Sequence, residues 1–347
     1  MHSGQQARGR VVAGWAVLAF LLFPGQTRGE EEYSFAGPLL LRNENPLYLT
    51  VFSTAIPDSV RTTVPRHWKW DFHYLCSNTI MDQHNVTESD RVVVDGELQR
   101  FELRVKYGLG RGWELSAALP YLTLGGGYLD GFIKSFEDTF GFITPGARES
   151  RPEGKFKYLF RVNGESLIDE TGHSLDGLGD IPLQLKYRLW DRSAGLLPRL
   201  SVRGLLKLPT ATQSKLGNGR LDGGIGLLAE QPIGSRVLFF SNLDVTTAHL
   251  PLALKTIDVD PVIVSGSFGL EHCLTKRASW LLQMTASSNP YPTFQEDMGA
   301  LNRNPMGVGL GWAYRLFSRT RIRVSVVENI NTSWQDFSWN FSLKTES

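Results

Sequence analysis

Lys69, Asp71 and His73 stand at alternate positions in HWKWDFHYLC (67–76), and Arg100, Glu102, Arg104 and Lys106 do the same in RFELRVKY (100–107). Asp71 and His73 on one face are the pair that activates a serine nucleophile. Ser116 or Ser342 could supply the hydroxyl, which would make a lipid-processing enzyme. The plainer alternative is a hydrogen-bonded interior pair, and it is preferred. None of the seven histidines belongs to a His-Glu-x-x-His or paired-cysteine pattern, and no G-x-S-x-G elbow occurs. GGIGLL (223–228) has glycines but no phosphate-binding lysine after them. No catalytic residue, metal or cofactor is therefore expected.

What remains is a set of charges of both signs. To the seven residues above are added Glu114, Lys186, Arg188, Arg203, Arg321 and Arg323, with Lys207, Asp222, Asp244, Glu271 and Arg315 in the same phase. Such side chains line water or pair with one another. A cationic excess on several strands would favour anions weakly.

The elements that position them are strands. In 67–76 the rings Trp68, Trp70, Phe72 and Tyr74 alternate with the charges, a period of two. FELRVKYGLGRGWELSAALPY (101–121) gives two more strands across a tight glycine turn. Nine further runs follow at 181–189, 200–208, 221–229, 237–245, 262–270, 278–286, 308–316, 322–326 and 337–343.

Two patterns select a transmembrane barrel over a soluble sandwich. Short connections (110–112, 191–197, 232–235, 275–277, 317–319) alternate with long ones (78–98, 123–177, 209–220, 246–260, 288–304). Aromatics such as Trp113, Tyr121, Tyr187, Trp280, Trp312 and Tyr314 mark the strand ends, the level of lipid headgroups. Lipid cannot satisfy a bare backbone edge, so the sheet must close. The expected fold is an all-β, antiparallel barrel of about 12 strands, apolar side to lipid and charged side inward.

The N-terminal stretch agrees with export. Arg8 and Arg10 precede VVAGWAVLAFLLF (11–23) and a small-residue stretch, the form of a secretory signal peptide over 1–29. Residues 30–66, with prolines at 38, 46, 57 and 65, are expected to form a periplasmic extension, and 67–347 the barrel. The expected location is the outer membrane of a Gram-negative bacterium. Expected partners are membrane lipid, the barrel assembly machinery and small solutes, with the protein a monomer. The formal net charge of +1 gives no reason to expect nucleic acid. Cys76 and Cys273 fall at opposite rims, too far apart to bridge.

The 123–177 loop carries Tyr128, Phe132, Ile133, Phe136 and Phe140 near helical spacing. A short amphipathic helix is expected there, acting as a plug or as a cap on the rim. KFKYLFRV (155–162) is expected to pair with 166–169 as a hairpin outside the membrane.

RNENPLYL (42–49), YGLGRGWELSAALPYL (107–122), GGYLDGFIKSFEDTFG (126–141), GLGDIPLQLKYRL (177–189) and LKLPTA (206–211) together resemble a proteobacterial outer-membrane family, domain of unknown function 3187. The chain departs from it at Ala211, where glycine is expected. The resemblance implies an outer-membrane β-barrel with no established activity. The function expected from the residues is a narrow channel for passive passage of small solutes, gated by the long loop. The alternatives are a non-conducting structural or adhesion barrel, and the enzyme built on Asp71 and His73.

Overall fold

The computed structural model describes residues 34–49, 56–129, 131, 135, 154–191, 197–249, 260–291 and 298–347. The signal peptide expected at 1–29 lies outside them, as do Phe132, Ile133, Phe136 and Phe140 and most of the helix expected there.

The strands in chain order are β1 Trp68–His84, β2 Arg91–Gly110, β3 Trp113–Gly125, β4 Lys157–Val162, β5 Glu165–Thr171, β6 Leu175–Leu178, β7 Ile181–Trp190, β8 Arg199–Leu208, β9 Asp222–Ile233, β10 Val237–Thr247, β11 Val262–Cys273, β12 Ala278–Ser287, β13 Met306–Phe317, β14 Thr320–Asn329 and β15 Phe337–Glu346. Pairing of β15 with β1, and of β3 with β7, closes β1–β3 and β7–β15 into a 12-strand antiparallel barrel. No strand edge of the barrel is left for lipid to satisfy, as the alternation demands.

Register turns the sequence alternation into two faces. Asp71 lies opposite Arg104 on one side and Lys344 on the other, while Phe72 lies between Leu103 and Leu343. The charged row is buried and the apolar row is exposed: Phe72, Phe101, Ile225 and Leu310 each show about half their surface or more. A closed belt of exposed aliphatic and aromatic side chains is a lipid-facing surface. Rings border it at the short-turn end, where Trp68 stacks near Tyr107 (4.4 Å between centroids) and Trp113 near Tyr187 (4.6 Å).

Two differences from the sequence expectation have physical causes, and a third expectation is met. The span 78–98 is mostly strand: β1 and β2 pair continuously from Trp68↔Tyr107 to His84↔Arg91, and only 85–90 connect them. Alternation is lost there because both faces of Val92–Val94 are covered. The expected hairpin exists as β4–β5, and β4 pairs with the upper part of β2, so it extends the wall beyond the membrane.

The second difference concerns residues 30–66. Of these, 34–49 and 56–63 lie inside the barrel, not beside it. Residues 36–48 are buried without interruption. One leg runs from Ser34 at the short-turn mouth to a helical turn, α1 (Pro46–Leu49), at the long-loop end; the other runs from Ile56 back to Thr63. The chain then passes Gly108, where Arg66 donates to the Gly108 carbonyl at 2.8 Å, and enters β1. Gly108 is required: a Cβ there would sit 2.1 Å from the Val64 oxygen.

Candidate functional site: the occupied lumen

The luminal segment has no ladder of its own, so its buried amides need acceptors from the wall. The inward rows of the strands, and Gln335 in the connection before β15, supply them. Glu271 accepts from the amides of Ala36 and Gly37 at 2.8 and 2.9 Å, and Gln283 from Leu39 at 2.8 Å. Gln335 accepts from Glu44 at 2.9 Å, Glu230 from Val60 at 3.1 Å, and Glu114 from Thr63 at 2.6 Å. The segment's carbonyls are met in the same way. Arg323 donates to Pro38 (2.8 Å), Arg203 to Ile56 (2.6 Å) and Ser201 to Val60 (2.7 Å).

RNENPLYL is the turn that inverts the segment. Asn45 accepts from the amide of Leu47 with its side chain (3.1 Å) and from Tyr48 and Leu49 with its carbonyl. It is an N-cap, with Pro46 in the first helical position where a missing N–H costs nothing. Leu47 and Tyr48 then enter an apolar cluster with Val92, Val94, Tyr158 and Tyr291 that closes the long-loop end. Burial pushes the Tyr158 and Tyr291 phenols well above their usual range. Tyr291 therefore stays a donor, to the Leu47 carbonyl.

Charge pairing does the rest. Arg42 reaches Glu102 at 2.6 Å and Glu44 at 2.7 Å; Arg100 reaches Glu44 at 2.8 Å, and Arg104 reaches Glu102 at 2.8 Å. Toward the short-turn end Asp58 takes Lys106 (2.6 Å) and Lys186 (3.0 Å), and Lys186 also reaches Glu114 at 2.9 Å. Arg203 pairs with Asp244 at 2.7 Å and Arg323 with Asp71 at 3.0 Å. Lys69 pairs with Glu346 at 2.9 Å, and Arg321 donates to the Ser34 carbonyl at 2.7 Å. His73 is buried in the same wall, its Nδ1 without a hydrogen-bond partner among the described residues.

Thus twelve of the thirteen charged residues read as lining the interior face the occupied lumen. Arg188 stands in the same row, opposite Ser201, but its guanidinium turns to the rim and pairs with Asp191, 2.6 Å away. Arg42, Glu44 and Asp58 were missed because their segment is too irregular to show a period. One signal was available. Gly307, Gly309 and Gly311 alternate along β13, and a Cβ at each would come within 2.5–2.6 Å of Trp334, Leu41 and Leu39. A strand that gives up its inward side chains marks a close approach by other chain.

The long loop behaves otherwise at its described start. Tyr128 bonds the Tyr74 hydroxyl at 3.3 Å, and Leu129 packs on Cys76, both on the outer face of β1. Cys76 and Cys273 are free. Among the described residues no group of three or more His, Cys, Asp or Glu is placed to hold a metal ion.

A closed antiparallel barrel with a lipid-facing belt and a charged, chain-filled interior is an outer-membrane β-barrel fold. Over residues 28–345 the chain matches the family model described as protein of unknown function (DUF3187), and it belongs to that family. Among solved structures it is similar to the COG4313 outer membrane channel from Pseudomonas putida F1, with a TM-score of 0.56 and 13% identity over 84% of this chain and 99% of that one. The NanC porin and the KdgM porin give TM-scores of 0.43 and 0.41 at 9% and 6% identity, over 80% of this chain and 98% of each of theirs. At 13% identity the likeness to the COG4313 channel is one of fold. No curated protein matches the chain.

Proposed function

We propose that the protein is a monomeric outer-membrane channel for small solutes in a Gram-negative envelope, reached by export with residues 1–29, and that residues 34–49 and 56–63 are its plug. The observation that carries this is the double filling of the lumen by an irregular segment held through side chains. A wall built to be solid has no need of a removable core, whereas polar contacts to a strandless segment can be exchanged for water one by one. The likeness in fold to the COG4313 outer membrane channel supports the same class. The gate is assigned to 34–49 and 56–63 in preference to the 123–177 loop, whose described start leans on the outer wall. No catalytic step is assigned: Asp71 is committed to Arg323.

Planar-bilayer recording tests the proposal. Wild-type protein should show rare openings, and protein lacking 34–63 should conduct steadily while keeping the heat-modifiable migration of a folded barrel. If the deletion does not fold, Glu44→Gln should raise the open fraction instead. A folded variant that stays silent would sink the channel and favour the non-conducting structural barrel, for which the paired charges of the lumen are the supporting observation.

A further inference from the structure

The short-turn mouth holds a cavity of about 200 Å³ beside the start of the luminal segment, lined by seven cationic side chains and three carboxylates. Each carboxylate is already taken. Asp58 is held by Lys106 and Lys186, Glu114 by Lys186 and Glu346 by Lys69. The acidic groups just beyond the lining are largely engaged. Glu271 accepts from Ala36, Gly37 and Ser279, and Asp71, the register partner of Lys344, pairs with Arg323 through Oδ2, its Oδ1 having no hydrogen-bond partner among the described residues.

That leaves Arg61, Arg315, Arg319 and Lys344 facing the cavity with no carboxylate within ion-pair distance among the described residues. The Nε and Nη2 atoms of Arg315 are buried and have no hydrogen-bond partner there. A buried guanidinium N–H without an acceptor is costly, and a planar fork of such donors is matched by a phosphate or carboxylate. Several uncompensated cations around one hollow raise its affinity for multivalent anions far above that for chloride.

We propose that this vestibule is a binding site for a small multivalent anion, a phosphate or an oligocarboxylate, gripped by Arg315 and Lys344 with Arg61 and Arg319 at its edge. The site does not depend on the plug leaving the lumen. Its anionic oxygens have two sources: a free solute, or the Glu30–Glu32 carboxylates, which end two positions before Ser34.

Isothermal titration of inorganic phosphate into the detergent-solubilised protein, at ionic strength fixed with chloride, tests this. Saturable binding is expected, weakened at least tenfold by Arg315→Gln and by Lys344→Gln, each checked for heat-modifiable folding so that one variant suffices if the other fails. Phosphate binding by wild type assigns the site to a free solute. Binding that emerges only in the Glu30→Gln, Glu31→Gln, Glu32→Gln variant keeps the site and makes the chain's own carboxylates its occupant. Absence of saturable binding in both proteins, or binding indifferent to Arg315 and Lys344, overturns the proposal. Bilayer conductance is a separate readout, so the channel and the anion site can fail independently.

Discussion

Glu44 and Arg100 meet as two parallel hydrogen bonds, Nε to Oε1 at 3.0 Å and Nη2 to Oε2 at 2.8 Å, with both side chains almost wholly buried. One residue belongs to the luminal segment and the other to β2, 56 positions later. Geometry of this kind is what a guanidinium and a carboxylate need to offset the loss of water. Arg42 on the segment and Glu102 on the wall complete a four-charge square in which each sign has two neighbours. The segment is thus latched electrostatically where its inward leg reaches the turn.

Breaking one side of the latch should loosen the segment and spare the barrel. Removing one partner of a buried pair typically costs about 3–5 kcal/mol, because the other charge is stranded. Arg100→Met should therefore make residues 34–49 cleavable by protease added from the short-turn side, with the barrel core still resistant. Mass spectrometry of the fragments checks it; an unchanged cleavage pattern would show that the ion pairs do not hold the segment.

The glycines of β13 offer a steric route to the same end. A side chain at Gly309 or Gly311 occupies the place of Leu41 or Leu39, with a Cβ 2.5 or 2.6 Å from their methyl carbons. Overpacking of this sort costs about 1–3 kcal/mol. Gly311→Leu should displace the segment and increase bilayer conductance, whereas Gly204→Ala, with nothing within 4 Å of the new carbon, should leave conductance as it was. Equal conductance in wild type and Gly311→Leu would mean that the segment accommodates the intrusion without opening a path.

Much of the barrel was legible because lipid imposes one rule on every strand. Trp68, Trp70 and Phe72 cannot face water in a row, and Asp71 cannot face acyl chains, so the period of two names the sides directly. The luminal segment obeys no such rule. Its prolines at 38, 46 and 57 exclude regular strand, and Arg42, Glu44 and Asp58 show no period that would mark them, because their partners are scattered along the wall from Arg100 to Lys186. The same gap hid the upper halves of β1 and β2. Above the membrane the chain must satisfy packing on two faces, and Val92, Val93 and Val94 no longer alternate.

The assignment of faces makes a direct stability prediction. Leu310 on β13 is exposed, flanked in register by Leu282 of β12 and Val326 of β14 on the apolar face. An arginine on the lipid face near mid-membrane costs about 2–4 kcal/mol. Leu310→Arg should lower the folding free energy in liposomes by about that amount, measured by urea titration of tryptophan emission. In a water-soluble sandwich the same exposed position would tolerate arginine with a change near zero, and that result would undo the membrane assignment.

The cap at the long-loop end should be the most fragile part of the closure. Tyr48 sits edge-on to Tyr291, with ring centroids 5.5 Å apart, and is almost fully buried. Truncating a buried aromatic costs about 3–5 kcal/mol. Tyr48→Ala should speed amide exchange across 42–49 and in β4, leaving β9–β12 protected. Uniform loss of protection around the barrel would argue that the cap and the wall fold as a single unit.

Glu97 offers a last test, on the outer wall, of how the long loop is anchored. Its Oε2 accepts from the backbone amides of Tyr128 and Leu129 at 2.9 and 2.8 Å. That clamp lays Leu129 over Cys76, and Tyr74, Phe337 and Trp339 close the pocket. Cys273 is buried at the far end of the barrel, at the close of β11, with no link to the clamp. Glu97→Ala leaves two amides without an acceptor, so the turn should lift and water should reach the Cys76 thiol. Maleimide labelling followed by peptide mapping should then show Cys76 modified at least tenfold faster than in wild type, with the rate at Cys273 unchanged. Equal acceleration at both cysteines would point to general loosening of the barrel, and no acceleration at Cys76 would mean that Leu129 is held by its apolar contacts and not by Glu97.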